Sequence, residues 1–402
     1  MMPLFAALLS VTAGATDLVI VAEQVFTVSG PVIEDGVVYI EDGRITKVGH
    51  EDDLPIPEGT PHLQTQVLTP GLVDGLSVAG LTGVMNQGND QDHRERSSPI
   101  NPQLRALDGY NPWEDLVGWL RDHGITTVVA GPSPGNLISG RTLIASTESA
   151  PLDEVVRVPE GAMVFTLGEM PKSLFAGRGG PESRMGSAAE VRQALAGAKE
   201  YAERRALPVA DRPAIDLGQE ALVSVLNRKT RAVIVAHRSD DILTALRIAK
   251  EFNLDLILAG GTEAYLVRDA IRAAGVPVLV GPVMVRSWGV SETSNASFEN
   301  AQLLHEVGIP IGFTSGFEGY VPKVRVVLWE AAISAANGLG GHDALHGLTL
   351  GAAQIWGLDD SIGSIEVGKR ADLALFDGDP FEYTSHVCGV IIGGNVVSET
   401  CR

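Results

Sequence analysis

The sequence predicts an α/β fold: a (β/α) barrel carrying a small β-module assembled from both chain ends. Three observations predict it. Short apolar runs of the kind buried on both faces of a parallel sheet recur at 125–131, 162–168, 232–237, 254–260, 276–281 and 309–316. Segments with helical periodicity lie between them. The two ends instead carry alternating strands separated by turns, from about residue 17 to 68 and again after about residue 360. Six or more such units favour a closed barrel over an open sheet. A chain of 402 residues has room for a barrel of ~250 residues and a smaller module beside it.

Residues 1–15, MMPLFAALLSVTAGA, are apolar and end in small residues, as a secretory signal does, but no Lys or Arg precedes the run. An export signal would make the protein periplasmic or extracellular. A misassigned start or a plain first strand would leave it cytoplasmic. Residues 16–68 then alternate in the β manner, with Glu41-Asp42-Gly43-Arg44 as a hairpin turn. The stretch Val67 to Leu81 reads as a buried strand entered through Pro70-Gly71, carrying Asp74 and ending at Leu76, Ser77 and Val78. In a (β/α) architecture catalytic groups are mounted at that end of a strand.

Two segments interrupt the rhythm, and both follow strands. Asn86 to Pro112 is long and polar, and Gly168 to Gly186 is rich in glycine. The Gly131 to Arg141 segment reads as a loop that lacks the lysine and spacing of a phosphate-binding loop. Helices are expected from a Ser187 cap with Glu190 three residues on, over 187–205, and at 240–252 and 263–274. Residues 359–402 return to strand, turn and strand. Ser133, Ser139 and Ser315 lack a nucleophile elbow.

The formal net charge of −20 argues against nucleic-acid binding, since no local basic patch offsets phosphate repulsion. No later stretch is apolar for the ~20 residues a membrane helix needs, so no membrane span is expected. Cys388 and Cys401 are the only cysteines. They form a disulfide if the chain is exported, or remain two thiols in a terminal β-module.

Pro70-Gly71-Leu72-Val73-Asp74, the run Leu350 to Leu358 and the run Ile362 to Leu373 together resemble the amidohydrolase superfamily, especially its imidazolonepropionase-like and prolidase-like branch. The resemblance spans about residues 17–397. It implies a (β/α)8 TIM-like barrel, residues 69–358, with a small β-sandwich domain formed by both chain ends, 16–68 and 359–402. It also implies metal-dependent hydrolysis of C–N bonds, in which one or two divalent ions, commonly zinc, activate water and an aspartate manages the proton.

The ligand positions, taken singly, depart from that pattern. The two histidines expected after Asp74 are Leu76 and Val78, the sixth-strand histidine is Gly260, and the eighth-strand aspartate is Gly316, following Ser315. Glu169 and His237 remain as candidate metal ligands. Two donors fall short of the three or four that zinc takes, so no cofactor is assigned, and a divalent zinc ion is the expectation if any metal binds. Asp90, Asp92 and His93 in the long loop are candidates for a replacement site. Asn136, Arg141, Arg238 and Glu263 are candidate pocket residues for a small-molecule ligand, with Asn136 and Arg141 either contacting it or shaping their loop. Asp74 reads as an acid that fixes its strand. Two functions follow: a non-catalytic or weakly active homologue, or a C–N hydrolase with a reduced site using Glu169 and His237. Whether the chain is an enzyme is left open, and a homo-oligomer is compatible with such a barrel.

Overall fold

Alternation of apolar and polar side chains builds one sheet from both ends of the chain. The computed structural model describes residues 17–284, 291–316 and 326–401, so the expected export signal lies outside the described residues. The amino-terminal strands are β1 (Leu18–Val25), β2 (Ile33–Glu41), β3 (Arg44–His50) and β4 (His62–Pro70). Asp42 and Gly43 both take positive φ, 48° and 76°, as the tight turn between β2 and β3 requires.

The central strands are β5 (Leu72–Ser77), β6 (Ile125–Ala130), β7 (Ile138–Arg141), β8 (Leu143–Ser146), β9 (Val156–Val158), β10 (Ala162–Thr166), β11 (Arg231–Ala236), β12 (Leu256–Gly260), β13 (Val278–Val280) and β14 (Ile311–Phe313). The chain closes with β15 (Leu373–Phe376), β16 (Val387–Ile392) and β17 (Asn395–Ser398).

The terminal strands form a seven-stranded sheet in the order β17-β16-β15-β4-β1-β2-β3. Its seam is the antiparallel pairing of β15 with β4, where Leu373 faces Pro70 and Phe376 faces Val67. Leu18, Ile20, Ile40, Leu68, Leu373 and Ile391 share a separate apolar core on this sheet. Cys388 and Cys401 are joined as a disulfide, tying β16 to the chain end.

Between β4 and β5 the expected single strand breaks at Gly71, whose N–H donates to Asp372 O at 2.7 Å. A side chain there would overlap Thr126, so only glycine lets the two backbones approach.

The central strands fall into two sheets, β14-β13-β12-β11-β10-β7 and β5-β6-β8-β9. From β10 to β14 every pairing is parallel, as the continuous apolar runs predict. β7 and β8 pair antiparallel with β10 and β6 respectively. The end of the expected Gly131–Arg141 loop is therefore strand. Leu76, Val129, Val164, Val233, Val235, Ile257, Ala259 and Leu279 face one another in a packed interior, capped by Ile355 and Trp356. Side chains two apart on a strand share that face, which is why Val233 and Val235, and Ile257 and Ala259, enter together.

β5 and β14 are not joined by a backbone ladder among the described residues. Ser315 bonds to Asp74 and Thr314 Oγ1 donates to Leu76 O instead. Gly75 permits this contact, because a Cβ there would lie 2.8 Å from Phe313 O.

One helix start differs from expectation. The helix Arg184–Arg205 begins one turn before Ser187 and is capped by Ser183, whose hydroxyl accepts from Gly186 N at 3.0 Å. Ser187 is buried and donates to Ser183 O instead. The 263–274 segment splits into a 3-10 turn, Ala264–Val267, and a helix, Arg268–Ala274. The 168–186 segment contains a short helix, Glu169–Leu174. No helix among the described residues is long and apolar enough to cross a membrane.

Candidate functional site

Asp74, Leu76, Val78, Glu169, His237, Gly260 and Gly316 each lie at or just after the carboxyl end of a strand, β5, β10, β11, β12 or β14. At the end of β5, Asp74 is fully buried, and its carboxylate accepts from Ser315 N at 3.0 Å and from Ser315 Oγ at 2.5 Å. Burial pushes its pKa up to about 7 against the opposing pull of the Ser315 bonds. Leu76 and Val78 are also fully buried, Leu76 in the packed interior and Val78 in the larger core around the strands. Neither side chain has an electron pair to give a metal.

His237 follows β11. Its Nδ1 lies 2.8 Å from Thr262 Oγ1, and its carbonyl accepts from Glu263 N at 2.8 Å. Burial lowers its pKa to about 4, so the imidazole is neutral at neutral pH. Gly260 has φ of 85°, and a Cβ there would stand 2.8 Å from His237 Cε1 and 3.2 Å from Nε2. The ring thus occupies the space into which a side chain at 260 would project. Gly316, also at φ 85°, would place a Cβ 3.9 Å from Pro282 Cδ, an ordinary contact, but its neighbour Ser315 is turned onto Asp74.

Glu169 opens the helix after β10. Its backbone N–H donates to Glu292 Oε1, and its own Oε1 lies 3.3 Å from Arg184. Arg184 also contacts Asp241 at 2.9 Å, and Asp240 and Glu292 at 3.9 Å each. One guanidinium therefore collects four carboxylates. Burial pushes Glu292 up to about 7, although the Glu169 N–H opposes the shift. Burial raises Asp241 as well, against the pull of Arg184. Gly168, at φ 102°, makes room for the cluster, since a side chain there would overlap Glu292.

The sequence reading missed Arg184, Asp241 and Glu292. Asp240-Asp241 directly after His237-Arg238-Ser239 is a visible signal, two acids at a helix start. Arg184 and Glu292 carry no local signal.

The candidate pocket residues are each engaged by the protein itself. Asn136 is buried and donates its amide to Glu95 O at 2.8 Å and Ser98 O at 2.7 Å, holding the long loop. Arg141 pairs with Glu160 at 2.6 Å, and Arg238 with Asp240 at 3.1 Å. Glu263 accepts from Ser239 N, Ser239 Oγ and Asn295 Nδ2 at 2.7 to 2.9 Å. Burial alone would raise its pKa, but these bonds hold it below the usual range.

The donor set does not fit zinc. Of the two candidate ligands, Glu169 is held by Arg184 and His237 by Thr262. No group of three or more His, Cys, Asp or Glu side chains able to hold an ion occurs among the described residues. The long loop does not supply one. Asp90 packs over Gly83, and Arg94 and Arg96 act on His93 electrostatically and disfavour a cation there.

Residues 334–398 match the model of the Amidohydrolase family. The crystal structure of an amidohydrolase from Thermotoga maritima superposes with a TM-score of 0.89 and 30% identity, over 95% of this chain and 100% of that one. Amidohydrolase tasK of Hapsidospora irregularis is 24% identical over 387 residues, covering 86% of this chain and 38% of its own length. Imidazolonepropionase of Shewanella baltica is 38% identical over 76 residues, 19% of each chain. This chain thus spans well under half of either curated relative. It belongs to the amidohydrolase family.

Proposed function

We propose that this chain is an amidohydrolase-family protein without the family's metal-dependent chemistry, a binding or weakly active homologue that takes a small molecule. The carrying observation is the state of the strand ends. Leu76 and Val78 are packed into core, the His237 ring fills the space over Gly260, and Ser315 occupies the carboxylate of Asp74. Restoring donors at these places would require displacing packed groups. In this reading β5 and β14 close the two central sheets into a (β/α)8 barrel spanning 69–358, with 16–68 and 359–402 as its β-sandwich. The Cys388–Cys401 disulfide supports export to an oxidising compartment. The test is a panel of amides, cyclic amides and dipeptides offered to the full chain with and without added zinc. At most weak turnover that added zinc does not change is expected, and zinc-dependent turnover would overturn the reading.

One observation favours a second reading, a C–N hydrolase with a reduced site. Glu292, with its pKa pushed to about 7, touches Glu169 at the strand ends and has the proton affinity a general base needs at neutral pH. Any activity found should then vanish in the Glu169→Ala, His237→Ala double variant.

A further inference from the structure

The long loop after β5 folds into a cleft of about 310 Å³ whose lining includes Asp92, His93, Arg94, Glu95, Arg105 and Asp108. Two groups in it have unmet chemistry. His93 Nδ1 is buried without a hydrogen-bond partner among the described residues. Arg94 donates Nε–H to Ser133 Oγ at 3.0 Å, and no carboxylate among the described residues pairs with its guanidinium. Arg105, by contrast, is answered by two bonds to Asp108, at 3.0 and 2.7 Å. A half-buried guanidinium that is left unpaired costs free energy, which an anion would recover.

We propose that this cleft binds the carboxylate of a small organic monoanion, with Arg94 as its cationic anchor beside the His93 ring. Three features select that class. A guanidinium edge matches the two coplanar oxygens of a carboxylate. His93 is held neutral by burial, with Arg94 and Arg96 adding to the shift, so it flanks the site without adding a second positive charge. The cleft lining carries three carboxylates, Asp92, Glu95 and Asp108, against two guanidiniums, Arg94 and Arg105. A dianion such as phosphate therefore meets about twice the repulsion that a single carboxylate does. The site is separate from the strand-end constellation and does not depend on whether that constellation turns over amides.

The experiment titrates the full chain with benzoate at neutral pH and fixed ionic strength, following the histidine ring resonances by NMR, with His93 assigned through His93→Gln. Benzoate should shift the His93 resonance saturably. Arg94→Gln should weaken binding by about tenfold or more, as for loss of a charge-assisted bond. Arg94→Lys should weaken it less, because the charge stays while the fork is lost. Inorganic phosphate should bind more weakly than benzoate. Absence of a saturable shift would overturn the proposal, as would undiminished affinity in the folded Arg94 variants or tighter binding of phosphate. Arg94→Lys carries the test if Arg94→Gln fails to fold. Amide hydrolysis enters none of these readouts, so failure here leaves the reading of the strand ends untouched.

Discussion

Two neighbourhoods at the same end of the strands have met opposite fates. Where β5 meets β14, the side chains are aliphatic or mutually satisfied. Leu76 and Val78 are core, and the Asp74 carboxyl is held by Ser315. After β10 and β11 the polar character persists, but it is turned inward. Glu169, Asp240, Asp241 and Glu292 surround Arg184, and His237 is held by Thr262. In the proposed reading the comparison separates two ways of closing a site: placing hydrocarbon at donor positions, or giving the donors that are present protein partners.

The largest effect expected is on the charged side. Arg184→Met removes the one guanidinium among the described residues that contacts all four acids, of which Asp241 and Glu292 are buried. It should cost about 3 kcal/mol or more in urea unfolding. Glu292→Gln in that background should recover part of the loss, since one buried like charge is gone. If both variants are as stable as the parent, the cluster is not held by Arg184.

On the apolar side, Leu76→Ala should cost about 2–5 kcal/mol, the range for emptying a fully buried leucine site. An active-site position tuned for a ligand, rather than for packing, would lose little stability on truncation. Thermal or urea unfolding distinguishes the two.

Asp74 and His237 contribute to the pH dependence with opposite signs. Asp74 has a folded pKa of about 7, above its ordinary 3.8. Between these values the folded chain holds the proton that the unfolded chain releases, so this group makes stability fall as pH rises through the window. His237 is shifted the other way, from 6.5 to about 4, and makes stability rise over that interval. Asp74→Asn should make the fall shallower, leaving the falling contribution of Glu292, also raised to about 7, and the rising one of His237. A stability profile unchanged by Asp74→Asn contradicts the burial assigned to that carboxyl. The smallest effect expected is Thr262→Val, about 1 kcal/mol for one hydrogen bond to His237.

Much of the scaffold was legible because burial writes itself as hydrophobic runs. The strands from β10 to β14, and the use of both chain ends in one sheet, follow from periodicity. The helix start at Arg184 did not, because Ser183 and Ser187 are both competent caps and the choice between them depends on tertiary packing. The donor-free positions at Leu76, Val78, Gly260 and Gly316 were readable as residue types. What occupies their space was not: the approach of the His237 ring to Gly260 and the bond from Ser315 to Asp74 join residues distant in sequence. Arg184 and Glu292 were invisible for the same reason. The unpaired Arg94 was also hidden, since a charge in a polar loop reads as solvated until its surroundings are known.

The central claim, that the strand ends have exchanged metal ligands for packing and internal hydrogen bonds, is tested most directly by metal content. The full chain, purified without chelator and dialysed against trace zinc, manganese and iron, would be analysed by plasma mass spectrometry. The account predicts far less than one ion per chain, with no change in Glu169→Ala, His237→Ala. A stoichiometric ion that disappears in that double variant would contradict it.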